Sequence, residues 1–266
     1  MRSRRGFTLI ELLVVVAIIA LLMAILMPAL NRVKKQAKSV ACQARLKEWG
    51  LMFKLYTDDH DGYFNEGWGV GETTLWMNAL RSDYKDNWDM LLCPTATRAM
   101  ASAADWGTFK AAQRSIATPG GGSYLYTFSY SINSWTNYMH GDRGDRLEEW
   151  FWKNTQNVKG PHRIPVFGDS TWHDGWPRHT DQPVDNPDAF GIMDQGTSGE
   201  MNHFSINRHN GFINMLFMDW STRTIGLKEN WTLKWHRTFD TMGPWTKAGG
   251  VMPSDWPRWL QRFKDY

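Results

Sequence analysis

From Phe7 to Leu30 the chain runs for 24 residues with one ionisable side chain, Glu11. A helix rising about 1.5 Å per residue over that length crosses a hydrocarbon core of about 30 Å. No other stretch restricts the fold as much, because whatever follows must hang on a membrane-spanning helix that carries one carboxylate. A carboxylate at that depth costs about 3 kcal/mol or more unless it is paired. Arg2, Arg4 and Arg5 lie ahead of Phe7, and no Lys or Arg follows Glu11 within the run. If the chain is cut between Gly6 and Phe7, the new amine of Phe7 sits four residues from Glu11. That is one helical turn, close enough to pair with it or with Glu11 of a neighbouring copy.

Basic residues, then Gly6, then Phe7-Thr8-Leu9-Ile10-Glu11 and an apolar helix resemble the class III leader of type IV pilins and type II secretion pseudopilins. The resemblance implies that a prepilin peptidase cuts after Gly6 and N-methylates Phe7, and that Glu11 neutralises the amine of the adjacent subunit during filament assembly. An ordinary signal peptide fits less well, because the apolar run is too long and no small-residue cleavage site follows it. The implied organisation is a leader (1–6), a transmembrane half-helix (7–30), an amphipathic stem (31–57) and a globular head (58–266).

The formal net charge is +3. Removing the three leader arginines leaves mature side chains without net charge, so the basic balance is no argument for nucleic-acid binding. Arg32, Lys34, Lys35 and Lys38 follow the span, so the positive-inside count does not orient it. The resemblance does: the leader peptidase acts on the cytoplasmic side, which implies a single pass through the inner membrane, with the head in the periplasm before it joins a periplasmic or extracellular filament. The implied partners are other copies of the chain, the peptidase and an assembly platform in the inner membrane.

Pro28 removes a helix hydrogen bond and marks an expected kink or loosened turn. Beyond it Cys42, Leu46, Trp49, Phe53 and Tyr56 recur at three- and four-residue steps, an apolar stripe that needs a covering head. The helix is expected to stop in 56–64, where an acidic cluster precedes Gly62. This junction resembles that of pseudopilins, with Asn65 where a Pro would stand. Asp59 and Asp61 echo part of a calcium loop, but Thr57 replaces the first ligand and no Glu closes it, so they are weak calcium candidates; no other cofactor is expected.

The two cysteines, Cys42 on the stem and Cys93 in the head, leave two readings open. A disulfide in an oxidising compartment would close a loop of about 50 residues and contribute about 4 kcal/mol; otherwise both are separately buried thiols. Two cysteines alone give no metal site. Residues 74–80 carry a short helical signal, 99–112 favour helix or coil, and 119–122 read as a surface turn. Residues 124–132 and 164–169 read as strands, the second ending in an acidic turn. From 172 to 199 one long loop is expected, and the acids Asp181, Asp185, Asp188, Asp194 and Glu200 read as a solvated set.

Residues 207–225 read as a turn, a strand and a tight return. His209 and Asp219 resemble the His-x9-Asp-Gly signature of a long pilin-like subgroup, with Trp220 replacing the Gly and putting a positive-φ turn in doubt. At opposite ends of one strand they are about 33 Å apart at about 3.3 Å per residue, so each reads as turn chemistry rather than catalysis. No histidine shows the spacing of a zincin or a nucleophile elbow, and the chain is not expected to be an enzyme. The sixteen Trp suit either a loop-rich core or sugar stacking, and Trp172, Trp176, Trp231, Trp235, Trp245, Trp256 and Trp259 are the candidates for exposure. The expected fold is α+β: a long N-terminal helix whose second half packs on a loop-rich head with an antiparallel sheet. The expected role is a filament subunit; the alternative is a membrane-tethered carbohydrate-binding protein using Trp-rich loops.

Overall fold

The computed structural model describes residues 9–69, 71–85, 87–102, 105–188 and 199–266. Helix α1 runs Leu9–Asp59 without a break at Pro28. The chain divides into an N-terminal unit ending at Lys38 and a second unit, Ser39–Tyr266. In the first, apolar side chains remain open from Leu9, 81% exposed, through Val15 at 45% to Leu30 at 52%. Among the described residues, this helix is long and apolar enough to cross a membrane. In the second, Cys42, Leu46, Trp49 and Phe53 are buried as the stripe requires. The helix closes where expected: the Gly62 N–H reaches back to the Thr57 carbonyl at 2.7 Å, with Asp61 and Gly62 both at positive φ, a Schellman-type end.

Two short helices follow, α2 Trp76–Ala79 and α3 Arg81–Tyr84. A three-stranded sheet comes next, ordered β1 (Arg98–Ala99), β2 (Lys110–Ala117), β3 (Ser123–Phe128). Part of 99–112 is therefore strand, contrary to the helix or coil expected. Its alanines favour helix intrinsically, but β2 is paired along six positions with β3, and tertiary pairing overrides that weak preference. The 119–122 run is the turn between them, with Gly121 and Gly122 at positive φ.

The larger sheet contains β4 (Tyr130–Asn133), β5 (Pro165–Asp169), β6 (Asp174–Gly175), β7 (Phe212–Phe217) and β8 (Thr222–Gly226), in the order β6-β4-β5-β7-β8. Most pairs are antiparallel, while β1 with β2 and β4 with β6 are parallel over two residue pairs each. Every residue of β5 is buried, as in a strand covered on both faces. Alternation puts Phe167 and Asp169 on one face, and that face meets α1: the Phe167 ring lies 5.2 Å from Trp49 and 5.3 Å from Phe53. On β7 the corresponding residues are Asn214 and Leu216. Gly50 allows the close approach, since a Cβ there would stand 2.8 Å from Leu216 Cδ1. The polar end of the same contact joins Asn214 Nδ2 to the Ser39 carbonyl at 3.1 Å and Gln43 Nε2 to Asn214 Oδ1 at 3.1 Å.

Candidate functional site

The assembly residues inferred from sequence fall in two groups. Gly6 and Phe7 lie outside the described residues. Glu11 stands in the first turn of α1 and Pro28 inside it. An acidic side chain in a first turn also complements the helix dipole. Around Glu11, Leu9, Ile10, Leu12 and Leu13 are 55–81% exposed, so the charge sits on a helix whose apolar sides are open all round.

The other sequence candidates converge at one place in the second unit. Cys42 and Cys93, both fully buried thiols, meet Asp169 and His209, and the ligand-type atoms of all four lie within 4.8 Å of one another. The two sulfurs are thus brought together as thiols. α1 supplies Cys42. The segment before β1 supplies Cys93, anchored by its N–H to Ser129 Oγ at 2.6 Å. β5 ends on Asp169, and the turn before β7 supplies His209. In that turn Asn210 and Gly211 both take positive φ and Asn207 Oδ1 accepts the Gly211 N–H at 2.6 Å, which carries Arg208 and His209 inward.

The structure corrects the sequence reading of this region. His209 is not turn chemistry alone: its Nε2 lies 3.1 Å from Asp169 Oδ2 and 3.4 Å from Cys93 Sγ. Asp169, read from sequence as an acidic turn at the end of a strand, is 0% exposed. It accepts from the Asn214 N–H at 2.8 Å and from Arg208 at 3.3 Å, while Cys42 Sγ lies 3.6 Å from each of its oxygens. Burial alone would raise the Asp169 pKa, but His209 and Arg208 outweigh it and hold the carboxyl well below its usual range. Burial likewise opposes protonation of His209, and Asp169 overrides that, taking the ring up to about 10. Burial pushes the Cys42 thiol up, reinforced by its hydrogen bond with Cys93. For Cys93, burial is outweighed by the hydrogen bonds from Cys42 and His209, which bring it down to about 6. The cluster is therefore a buried set of donors with one thiol poised to ionise.

Asp219 does behave as a turn residue, its Oδ1 accepting from the Ser221 N–H at 3.0 Å and the Ser221 hydroxyl at 2.6 Å. The doubt about positive φ is resolved: Trp220 itself adopts φ 63. Its carbonyl is held by Lys47 Nζ at 2.8 Å. Asp59 and Asp61 are exposed and stand apart from the buried cluster; the Asp61 carbonyl accepts from Asn154 and Gln156 at 3.0 Å each.

Among the loop acids, Asp194 lies outside the described residues. Asp181 and Glu200 are not solvated: Asp181 Oδ2 accepts the Arg178 and Met201 N–H groups at 2.9 Å each, and Glu200 pairs with Arg146 at 2.8 Å. Of the seven Trp considered for exposure, Trp172, Trp176, Trp231, Trp235 and Trp256 are buried, while Trp245 and Trp259 pack half-buried against the core. This removes most of the stacking surface that carbohydrate binding requires.

Sequence reasoning singled out Cys42, Cys93 and His209 separately and missed Asp169. The available signal was the inventory itself, two thiols, an imidazole and a carboxylate ending an apolar strand, which only the sheet register brings together.

Residues 1–27 match the prokaryotic N-terminal methylation motif. At its N-terminus the chain is similar to type IV pilins. Over 63 residues it is 43% identical to the type IV wide pilus major component PilA4 of Thermus thermophilus, an alignment covering 24% of this chain and 48% of that protein. The chain spans about half the length of the curated relative it matches. No solved structure matches it.

Proposed function

We propose that this pilin-like protein is a structural subunit of a type IV pilus or type II secretion pseudopilus filament. A prepilin peptidase cuts after Gly6 and methylates Phe7, and the subunit waits in the inner membrane with its head in the periplasm. The single observation that carries the reading is helix α1, which begins with a methylation motif, bears Glu11 in its first turn and leaves its apolar sides open over 9–30. In a filament these open sides bury one another in a helical bundle, where van der Waals packing between helices replaces contact with lipid tails. The Glu11 carboxylate meets the Phe7 amine of a neighbour, which sets the axial register of the bundle, and an assembly platform delivers subunits one at a time. Pro28 lacks the N–H that would bond back along α1 and gives the helix a place to adapt as it leaves lipid for protein.

Glu11→Ala separates assembly from insertion. The variant is expected to be cut and membrane-inserted at wild-type levels while filaments, counted by electron microscopy of sheared cells, are lost. Undiminished filaments would contradict the charge-pairing mechanism.

A further inference from the structure

We propose that Cys42, Cys93, Asp169 and His209 form a structural binding site for one tetrahedral divalent metal ion of the zinc class. A tetrahedral zinc with sulfur ligands at about 2.3 Å and nitrogen or oxygen ligands at about 2.0–2.2 Å separates its ligand atoms by about 3.3–3.8 Å. Three of the six separations stand close to those values, Cys42 Sγ to Asp169 at 3.6 Å, Cys93 Sγ to His209 Nε2 at 3.4 Å and His209 Nε2 to Asp169 Oδ2 at 3.1 Å, and all four ligand atoms lie within 4.8 Å of one another. All four residues are buried, and four protein ligands leave no open position, the form of structural rather than catalytic zinc. Two thiolates, one imidazole and one carboxylate make a soft, nitrogen-containing set that suits zinc and does not suit calcium or magnesium.

The surroundings fit the same ion. Two thiolates and a carboxylate carry three negative charges, which a divalent ion and the buried guanidinium of Arg208 balance. Each anionic ligand is steadied from outside: Tyr130 Oη donates to Cys42 Sγ at 3.3 Å, Thr95 Oγ1 lies 3.0 Å from Cys93 Sγ, and Arg208 and the Asn214 N–H hold Asp169. Such outer partners orient ligands and tune their affinity. The other nitrogen of His209, Nδ1, has no hydrogen-bond partner among the described residues, so Nε2 makes this ring's polar contacts on the ligand side. Binding displaces the thiol protons of Cys42 and Cys93 and the proton on His209 Nε2 to solvent. A Cys42 to Cys93 disulfide would engage two of the four groups and leave His209 and Asp169 without the role their placement gives them. The ion instead clamps four segments at once: α1, the approach to β1, the end of β5 and the turn before β7.

The test is elemental analysis and zinc-edge X-ray absorption on the full chain extracted from membranes in mild detergent, without chelator or reductant. The expected result is one zinc per chain, with a two-sulfur shell at about 2.3 Å and a nitrogen/oxygen shell at about 2.0–2.1 Å. After chelation, cobalt reloading should give the absorption of a thiolate-ligated tetrahedral ion. Cys93→Ala should lose the metal, and the wild-type spectrum stands whether or not that variant folds. A metal-free native chain whose mass shows Cys42 bonded to Cys93 would overturn the proposal. So would a reduced, folded chain that takes up neither zinc nor cobalt.

Discussion

Arg208 donates to the carbonyls of Thr108, Ser129 and Ser170 at 2.9, 2.5 and 2.8 Å while also facing Asp169, and its side chain is 0% exposed. A guanidinium placed this way ties the approach to β2, the start of β4 and the segment after β5 to one point, because its planar fork matches several acceptors at once. A buried charge that is only partly compensated behaves differently, and Glu200, paired with Arg146, shows it. Burial is the main cause pushing its carboxyl up to about 7, with Asp174 adding to the effect and Arg146 offsetting part of it. The folded-state value lies above the unfolded one of 4.5. The penalty for the buried charge is therefore fully present above about pH 7 and disappears as pH falls toward 4.5. Glu200→Gln carries no such term. The variant should be more stable than wild type at about pH 8, by roughly 3 kcal/mol at 1.36 kcal/mol per unit, and the difference should shrink toward zero near the unfolded value. Paired denaturation curves of the full chain in detergent, followed by tryptophan fluorescence at several pH values, measure this. A pH-independent difference would show that Glu200 is not held above its ordinary range.

Element α1 does two jobs with one unbroken helix. Its first part is apolar on all sides, which marks a lipid or bundle environment, and its part beyond Ser39 narrows to the stripe of Cys42, Leu46, Trp49 and Phe53. That change was legible in the sequence because helical periodicity survives whatever the partner surface is. Gly50 was less legible: a glycine inside a helix costs about 1 kcal/mol relative to alanine, and its reason is the approach of β7 through Leu216. Since the nearest atom is the tip of a flexible side chain, Gly50→Ala should stay within about 1 kcal/mol of wild type, helix propensity offsetting the displacement of Leu216. Gly50→Leu should destabilise by about 2 kcal/mol through overpacking. Chemical denaturation of the two variants checks the ordering, and equal stabilities would contradict the packing of β7 on this turn. The strand at 110–117 was illegible for the opposite reason, since its alanines favour helix and only its pairing with β3 makes it a strand.

Across the whole molecule, the sequence carried the plan of the fold better than the chemistry of its interior. The span, its carboxylate, the stem stripe and its end at Gly62, the strands at 165–169 and 212–217 and the α+β class are all local patterns, and local patterns can be read residue by residue. The meeting of Cys42, Cys93, Asp169 and His209 is not local: its members are separated by up to 167 positions and come together through the register of β5, β7 and α1. The same limit explains the tryptophans, whose burial depends on which loops cover the sheet and not on their neighbours in sequence. The function rests on the local part. Its most direct test is the N-terminal mass of the protein extracted from membranes of cells with an active prepilin peptidase. The account predicts a chain that begins at Phe7 with one methyl group on its amine, and a terminus at unmethylated Met1 would contradict it.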